Sequence, residues 1–258
     1  MNRGREVIGL PILALVIAAS SIAFLLQPMF PAIAYGGDGE VSVLMIGNSL
    51  SNGIKQPLVK LAKSRGVRMK ISALMKNGAT LGTFADSTAT AKKIAAGPWD
   101  HVILQEQSAG TFSSRYPDAR ALDAMIREAG SHTMFFLTWR DRGELPATYG
   151  YLRGRLGGDS GYVPIAYELD ASIAPVGWAF RDAVIDGIYD ALWEDDGHHA
   201  GKRGEYLAAA VFYTMIFEES PVGLWAPNDF SIDEAVYYQE LAAKVVFGEI
   251  EVWSSSLR

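Results

Sequence analysis

The chain has no cysteine among its 258 residues. That absence excludes disulfides, thiolate metal sites and a cysteine nucleophile, and it leaves the redox compartment open. Histidine is scarce too, at four residues, so any imidazole base comes from a short roster. A cationic surplus is missing: Lys and Arg number 23 against 29 Asp and Glu, for a net charge of -6. Nucleic acid is therefore excluded as an expected partner, because binding its backbone takes clustered Lys and Arg. Internal repeats and low-complexity tracts are also lacking. What is present is apolar material, 49% of the residues, enough to bury a full core.

The N-terminus speaks to compartment. Arg3 and Arg5 precede an uncharged run from Val7 to Leu26, and Ala32-Ile33-Ala34 follows in small-x-small order. That is the layout of a secretory leader cleaved after Ala34. An uncleaved anchor is the alternative, since about 20 apolar residues can span a bilayer. Either way Tyr35 onward is expected outside the cytoplasm, periplasmic or secreted, with membrane contact only through residues 7–26. The expected organisation is a leader or anchor over 1–34, a linker over 35–40 and a single domain over 41–258.

Short apolar, β-branched runs alternate with helical spacing along that domain. Strands are expected at Val41–Ile46, Val67–Leu74, His101–Leu104, Thr133–Thr138 and Ile173–Val176. Helices are expected at Lys55–Ser64, Phe84–Ala96, Asp118–Ala129 and Gly177–Leu192, with amphipathic helices at Lys202–Glu218 and Ile232–Phe247. Residues 140–162 read as a loop or lid. Such alternation predicts an α/β fold, a parallel sheet of about five strands with helices on both faces, and sites at the C-terminal strand ends.

The first strand runs into Gly47-Asn48-Ser49, a turn that lifts a side chain out of the core toward a helix N-terminus. Ser49 is a candidate nucleophile there; a helix cap and an anion site are the other readings. A serine nucleophile needs a base, and the base an orienting acid. His101 and His132 begin strands, at the wrong end. His198 and His199 stand with Asp195 and Asp196 in WEDDGHHAG, just before a strong helix. There an Asp-x-x-His can hold an imidazole Nδ1 and leave Nε2 free. A metal site and a solvated acidic loop are the competing readings. Donors for a developing oxyanion follow the other strands: the N–H groups of Ser49 and of a glycine after strand two, Gly78 or Gly82, and the amides of Gln105 and Gln107.

Taken together the order resembles the SGNH/GDSL hydrolase family. GNSLS is similar to its first block, with Asn48 where Asp is usual, and DGHHAG to its last, with Ala200 in place of Pro. The resemblance implies a flavodoxin-like three-layer α/β/α sandwich. It selects Asp196 and His199, with Ser49, as the catalytic triad, and Gly78 as the second-block donor. The third block departs: LQEQSAG lacks the usual Asn. By likeness to carbohydrate acetylesterase branches, Gln105 is the expected substitute and Gln107 the second. TWR at Thr138–Arg140 and APVGWAF at Ala174–Phe180 are similar to a branch carrying Leu-Gln-Glu-Gln-Ser.

The resemblance implies ester hydrolysis through an acyl-enzyme, with no metal or organic cofactor. The expected substrate is an O-acetyl ester on a carbohydrate. An O-acyltransferase of envelope polysaccharide and a non-catalytic glycan-binding protein are the alternatives. Trp139, Tyr149, Tyr151, Trp178 and Trp193 are candidates to stack on sugars, with core packing the reading for most. Arg140, Arg142, Arg153 and Arg155 are candidates to meet an acidic glycan, with a solvated face as the default.

Overall fold

The computed structural model describes residues 39–107, 112–143, 161–188 and 190–255. The expected leader over 1–34, most of the linker, and Tyr149, Tyr151, Arg153 and Arg155 lie outside the described residues. All described residues belong to one compact unit, Ala32–Arg258.

Five strands form the sheet: β1 (Glu40–Gly47), β2 (Arg68–Met75), β3 (His101–Leu104), β4 (Thr133–Phe136) and β5 (Ser172–Ala174). They pair in the order β2-β1-β3-β4-β5, and every pair is parallel. The central strands are buried on both faces, from Val43 to Ile46 and from Val102 to Leu104. Only continuous apolar runs suit such positions. The register aligns the C-terminal ends, with Gly47 opposite Met75 and Ile46 opposite Leu104. Loops leaving β1, β2 and β3 therefore meet at one rim of the sheet.

Helices cover both faces. One set is α1 (Lys55–Ser64), α6 (Val176–Ile185), α7 (Lys202–Phe217) and α8 (Ile232–Gly248), which pack on one another. The other is α2 (Leu81–Ala85), α3 (Thr88–Ala95) and α4 (Tyr116–Glu128). Two short helices, α5 (Tyr162–Glu168) and α9 (Ile250–Trp253), contact β5 at the sheet edge. Among the described residues, no helix is long and apolar enough to cross a membrane.

Three sequence expectations change. The helix expected over Phe84–Ala96 is two helices, because Ser87 accepts from the Thr90 N–H and starts a new N-terminus. The helix expected over Gly177–Leu192 ends at Ile185. And α7 is not amphipathic: every residue from Tyr206 to Phe217 is buried. A helix apolar on all sides sits between layers rather than on a surface; α1, α6 and α8 cover the outer side of α7.

Candidate active site

Backbone geometry after β1 comes first. A short 3-10 turn, Ser49–Ser51, follows the strand, and Asn48 caps it by accepting from the Leu50 N–H at 3.1 Å. The Asn48 amide nitrogen donates to the Ala79 carbonyl at 3.0 Å, tying this turn to the loop after β2. An Asp here would cap the turn but lack that donor. Ser49 is left half-buried at the rim.

A second loop meets it. Residues Trp193–Ala200 fold back on themselves, pinched by an antiparallel bridge between those two residues. Within it, Oδ1 of Asp196 accepts from the N–H groups of His198 (2.9 Å) and His199 (3.0 Å). Oδ2 takes the Nδ1 of His199 at 2.6 Å. His199 Nε2 then lies 2.9 Å from Ser49 Oγ. With Nδ1–H on the carboxylate, Nε2 is left as the acceptor of the serine proton. The imidazole hydrogen bond, with the two backbone N–H groups behind it, holds the Asp196 carboxyl well below the usual carboxylate range.

The loop after β4 grips the same segment. Trp139 Nε1 donates to the His198 carbonyl at 2.9 Å, and the Arg142 N–H to the Gly197 carbonyl at 2.7 Å. The Arg142 guanidinium donates to the Asp195 carbonyl at 3.1 Å. Asp141 faces His198 Nδ1 at 2.6 Å. Arg142, a candidate for an acidic glycan, is thus turned inward as a brace. Trp139, Trp178 and Trp193 are buried, with Trp139 stacked on Phe180 at 4.6 Å, so none is an exposed sugar platform.

Gln105 corrects an expectation. Its side chain is fully buried under the β1 turn instead of facing the nucleophile. Oε1 accepts from the Asn48 N–H at 2.8 Å and from Ser51 Oγ at 3.1 Å. The backbone donor fixes which end is oxygen, and the amide nitrogen goes to the Glu106 carbonyl. Gln105 is therefore spent as a scaffold and is no oxyanion donor. The same contact explains Gly47: a Cβ there would lie 2.5 Å from Gln105 Oε1.

Glu106 repeats the device one residue on. Its buried carboxylate accepts from the Leu81 N–H at 3.0 Å and the Gln107 N–H at 2.6 Å. Burial raises its pKa, and those two donors pull it back. So the Gln-Glu pair after β3 braces the turn after β1 and the loop after β2. Sequence reasoning missed this role, although two polar residues directly after a buried strand are its signal. Gln107 is half-buried beside residues 108–111, which lie outside the described set.

For an oxyanion, the N–H groups of Ser49 and Gly78 remain. Neither donates to a protein acceptor among the described residues. Gly78 is exposed with φ of +66°, a left-handed turn. His101 and His132 lie at the opposite end of the strands. Among the described residues, no group of three or more His, Asp or Glu is placed to hold a metal ion.

A pocket of about 480 Å3 opens at Ser49, with Asn52, Asn77, Glu194, Asp195 and Glu205 in its walls. Glu205 is pushed up by burial and by the charge of Glu194. What the arrangement offers is a hydroxyl with a base, two free N–H groups and an open polar mouth.

No family model matches the sequence, and no curated protein matches it. Solved structures do. A protein from Slackia heliotrinireducens assigned as an SGNH hydrolase is 26% identical, with a TM-score of 0.52, covering 67% of this chain and 97% of that one. A DUF4886 family protein from Bacteroides uniformis is 19% identical, with a TM-score of 0.66, covering 81% and 95%. An acetyl xylan esterase is 12% identical, with a TM-score of 0.54, covering 67% and 98%. The parallel sheet between two helical layers is the SGNH/GDSL hydrolase fold. This chain shares that fold with these proteins.

Proposed function

We propose that the protein is an extracytoplasmic serine esterase that removes O-acetyl groups from a carbohydrate. The observation that carries this reading is the unbroken line Ser49 Oγ, His199 Nε2, His199 Nδ1, Asp196 Oδ2, at 2.9 and 2.6 Å. Ser49 attacks the acetyl carbonyl while His199 takes its proton. Asp196 keeps the ring in the right tautomer and stabilises the imidazolium. The N–H groups of Ser49 and Gly78 hold the oxyanion, each donor worth about 3 kcal/mol in the transition state. The tetrahedral intermediate collapses; His199 returns the proton to the departing sugar hydroxyl, and an acetyl group stays on Ser49. Water, deprotonated by His199, then releases acetate and frees the serine. The Lys-free, carboxylate-rich mouth around Ser49 supports a neutral polar substrate rather than an acidic or lipidic one. The leader-like N-terminus supports the location.

Treatment with a fluorophosphonate and mass mapping tests the nucleophile. The expected adduct sits on Ser49 and is lost in Ser49→Ala and His199→Ala. Acetate release from an O-acetylated oligosaccharide tests the reaction. A folded protein giving neither result overturns the proposal.

A further inference from the structure

Next to the pocket at Ser49 is a second cavity, of about 540 Å3. The two share one side chain, Glu205 of α7, and consecutive backbone: Asn52 lines the first and Gly53 the second. The Glu205 carboxylate lies directly over Gly53, where a Cβ would be 1.6 Å from its Oε1. A trough thus leaves the nucleophile along the α1–α7 seam, with Glu205 as its saddle.

Its far end is a half-buried indole, Trp225, in a cavity of mixed apolar and polar walls. The backbone that carries the indole is held firmly. The Trp225 main-chain N–H donates to Ser64 Oγ at 3.0 Å, and its main-chain carbonyl accepts from the Tyr206 hydroxyl at 2.9 Å. Tyr206 packs edge-on against the ring at 6.0 Å, and Gln239 holds the Tyr206 oxygen at 2.7 Å. The exposed Lys60 ammonium lies over the ring, 4.6 Å from its centroid, on a flexible stem. Around the ring stand Gln56 and Asn228, both exposed, and Lys202 paired with Asp229.

This composition discriminates between ligands. An acyl chain would want unbroken apolar walls, whereas Trp225 and two prolines here stand among Gln56, Asn228, Glu205 and the Lys202–Asp229 pair. A polyanion would have to pass Glu194, Asp195 and Glu205 to bring an ester to Ser49. A neutral sugar fits: its C–H face lies on an indole, while its hydroxyls donate to carboxylates and exchange hydrogen bonds with amides. The volume is that of an ordinary ligand site. We propose that the Trp225 cavity is a saccharide subsite. It holds a neutral sugar unit of the glycan whose neighbouring unit presents its ester to Ser49. The proposal rests on the esterase reading for the placement of that ester, and its binding test does not.

The test uses the Ser49→Ala protein and three neutral probes: xylotetraose, cellotetraose and chitotetraose. Titration calorimetry reads binding. At least one probe is expected to bind saturably, and Trp225→Ala to weaken it about ten-fold. Gln56→Ala, at an exposed helix position, is expected to weaken it about three-fold. Tetragalacturonate of the same length is expected not to bind. Binding by none of the neutral probes, or binding indifferent to both substitutions in folded protein, overturns the subsite. In active enzyme, Trp225→Ala is expected to lower kcat/KM on the acetylated tetraose about ten-fold more than on p-nitrophenyl acetate, mainly through KM. Equal losses on both esters overturn the subsite and leave the esterase standing. Tetraose binding without any ester turnover does the reverse.

Discussion

His198 and His199 are neighbours in sequence and in space, with ring centroids 4.9 Å apart and planes at 86°. Each offers Nδ1 to a carboxylate at 2.6 Å, His198 to Asp141 and His199 to Asp196. Only His199 has its other nitrogen on a serine. The supports differ as well. Asp141 arrives from the loop after β4, whereas Asp196 belongs to the histidines' own loop and holds two of its backbone N–H groups. An Asp–His contact, even a short one, is thus no signature of catalysis; what the far nitrogen faces decides.

Four measurements break or sharpen that contrast. The largest effect is expected for Ser49→Ala and His199→Ala, each lowering kcat by about 10^4-fold or more, read by initial rates on p-nitrophenyl acetate. Asp196→Asn comes next, at about 10^3-fold, because the amide no longer enforces the tautomer. A His198→Ala loss as large as that of His199→Ala would erase the distinction; the expected loss is under about three-fold, in line with a solvent-exposed side-chain contact. Between these lies Gln105→Ala. It strands the buried Asn48 N–H, costing about 1–3 kcal/mol of stability. By loosening the Ser49 turn it lowers kcat about 10- to 100-fold with KM little changed.

The smallest effect concerns pH. Folding depresses the Asp196 pKa, so its contribution to stability is complete above its ordinary value of 3.8 and fades as pH falls below that toward the folded value. The melting-temperature gap between wild type and Asp196→Asn should stay constant down to about pH 4 and close only below it. A gap already closing between pH 7 and 5 would mean that the carboxyl is not held this way.

Much of this was legible in the residues. All five strands were found within two residues, since buried parallel strands leave short β-branched runs between turn signals. Ser49 stood out at the turn that ends a buried strand, and the Asp195–His199 cluster by its spacing; within that cluster the family resemblance, not the spacing, picked Asp196 and His199. Gln105 misled, because sequence does not tell whether a polar side chain after a strand points out to a ligand or back beneath a neighbouring turn. The Ser87 break went unseen, as a capping serine inside a run of Ala and Thr looks like more helix. The charges of α7 sit only in its first turn, Lys202 to Glu205, and they made a helix that is apolar all round from Tyr206 onward read as amphipathic. Trp225 gave no signal, since its value comes from Glu205 and Tyr206, distant in sequence until α7 brings them alongside.

The braces from Gln105 and Glu106 have a mechanical consequence. Both sprout from the end of β3, one reaching the turn of Ser49 and the other the loop of Gly78. When β3 breathes, the two rims ride with it, like two gauges bolted to one bar. Their separation is buffered against motions that displace either from the rest of the molecule, so the gap that a reacting carbonyl would enter keeps its width while the sheet flexes.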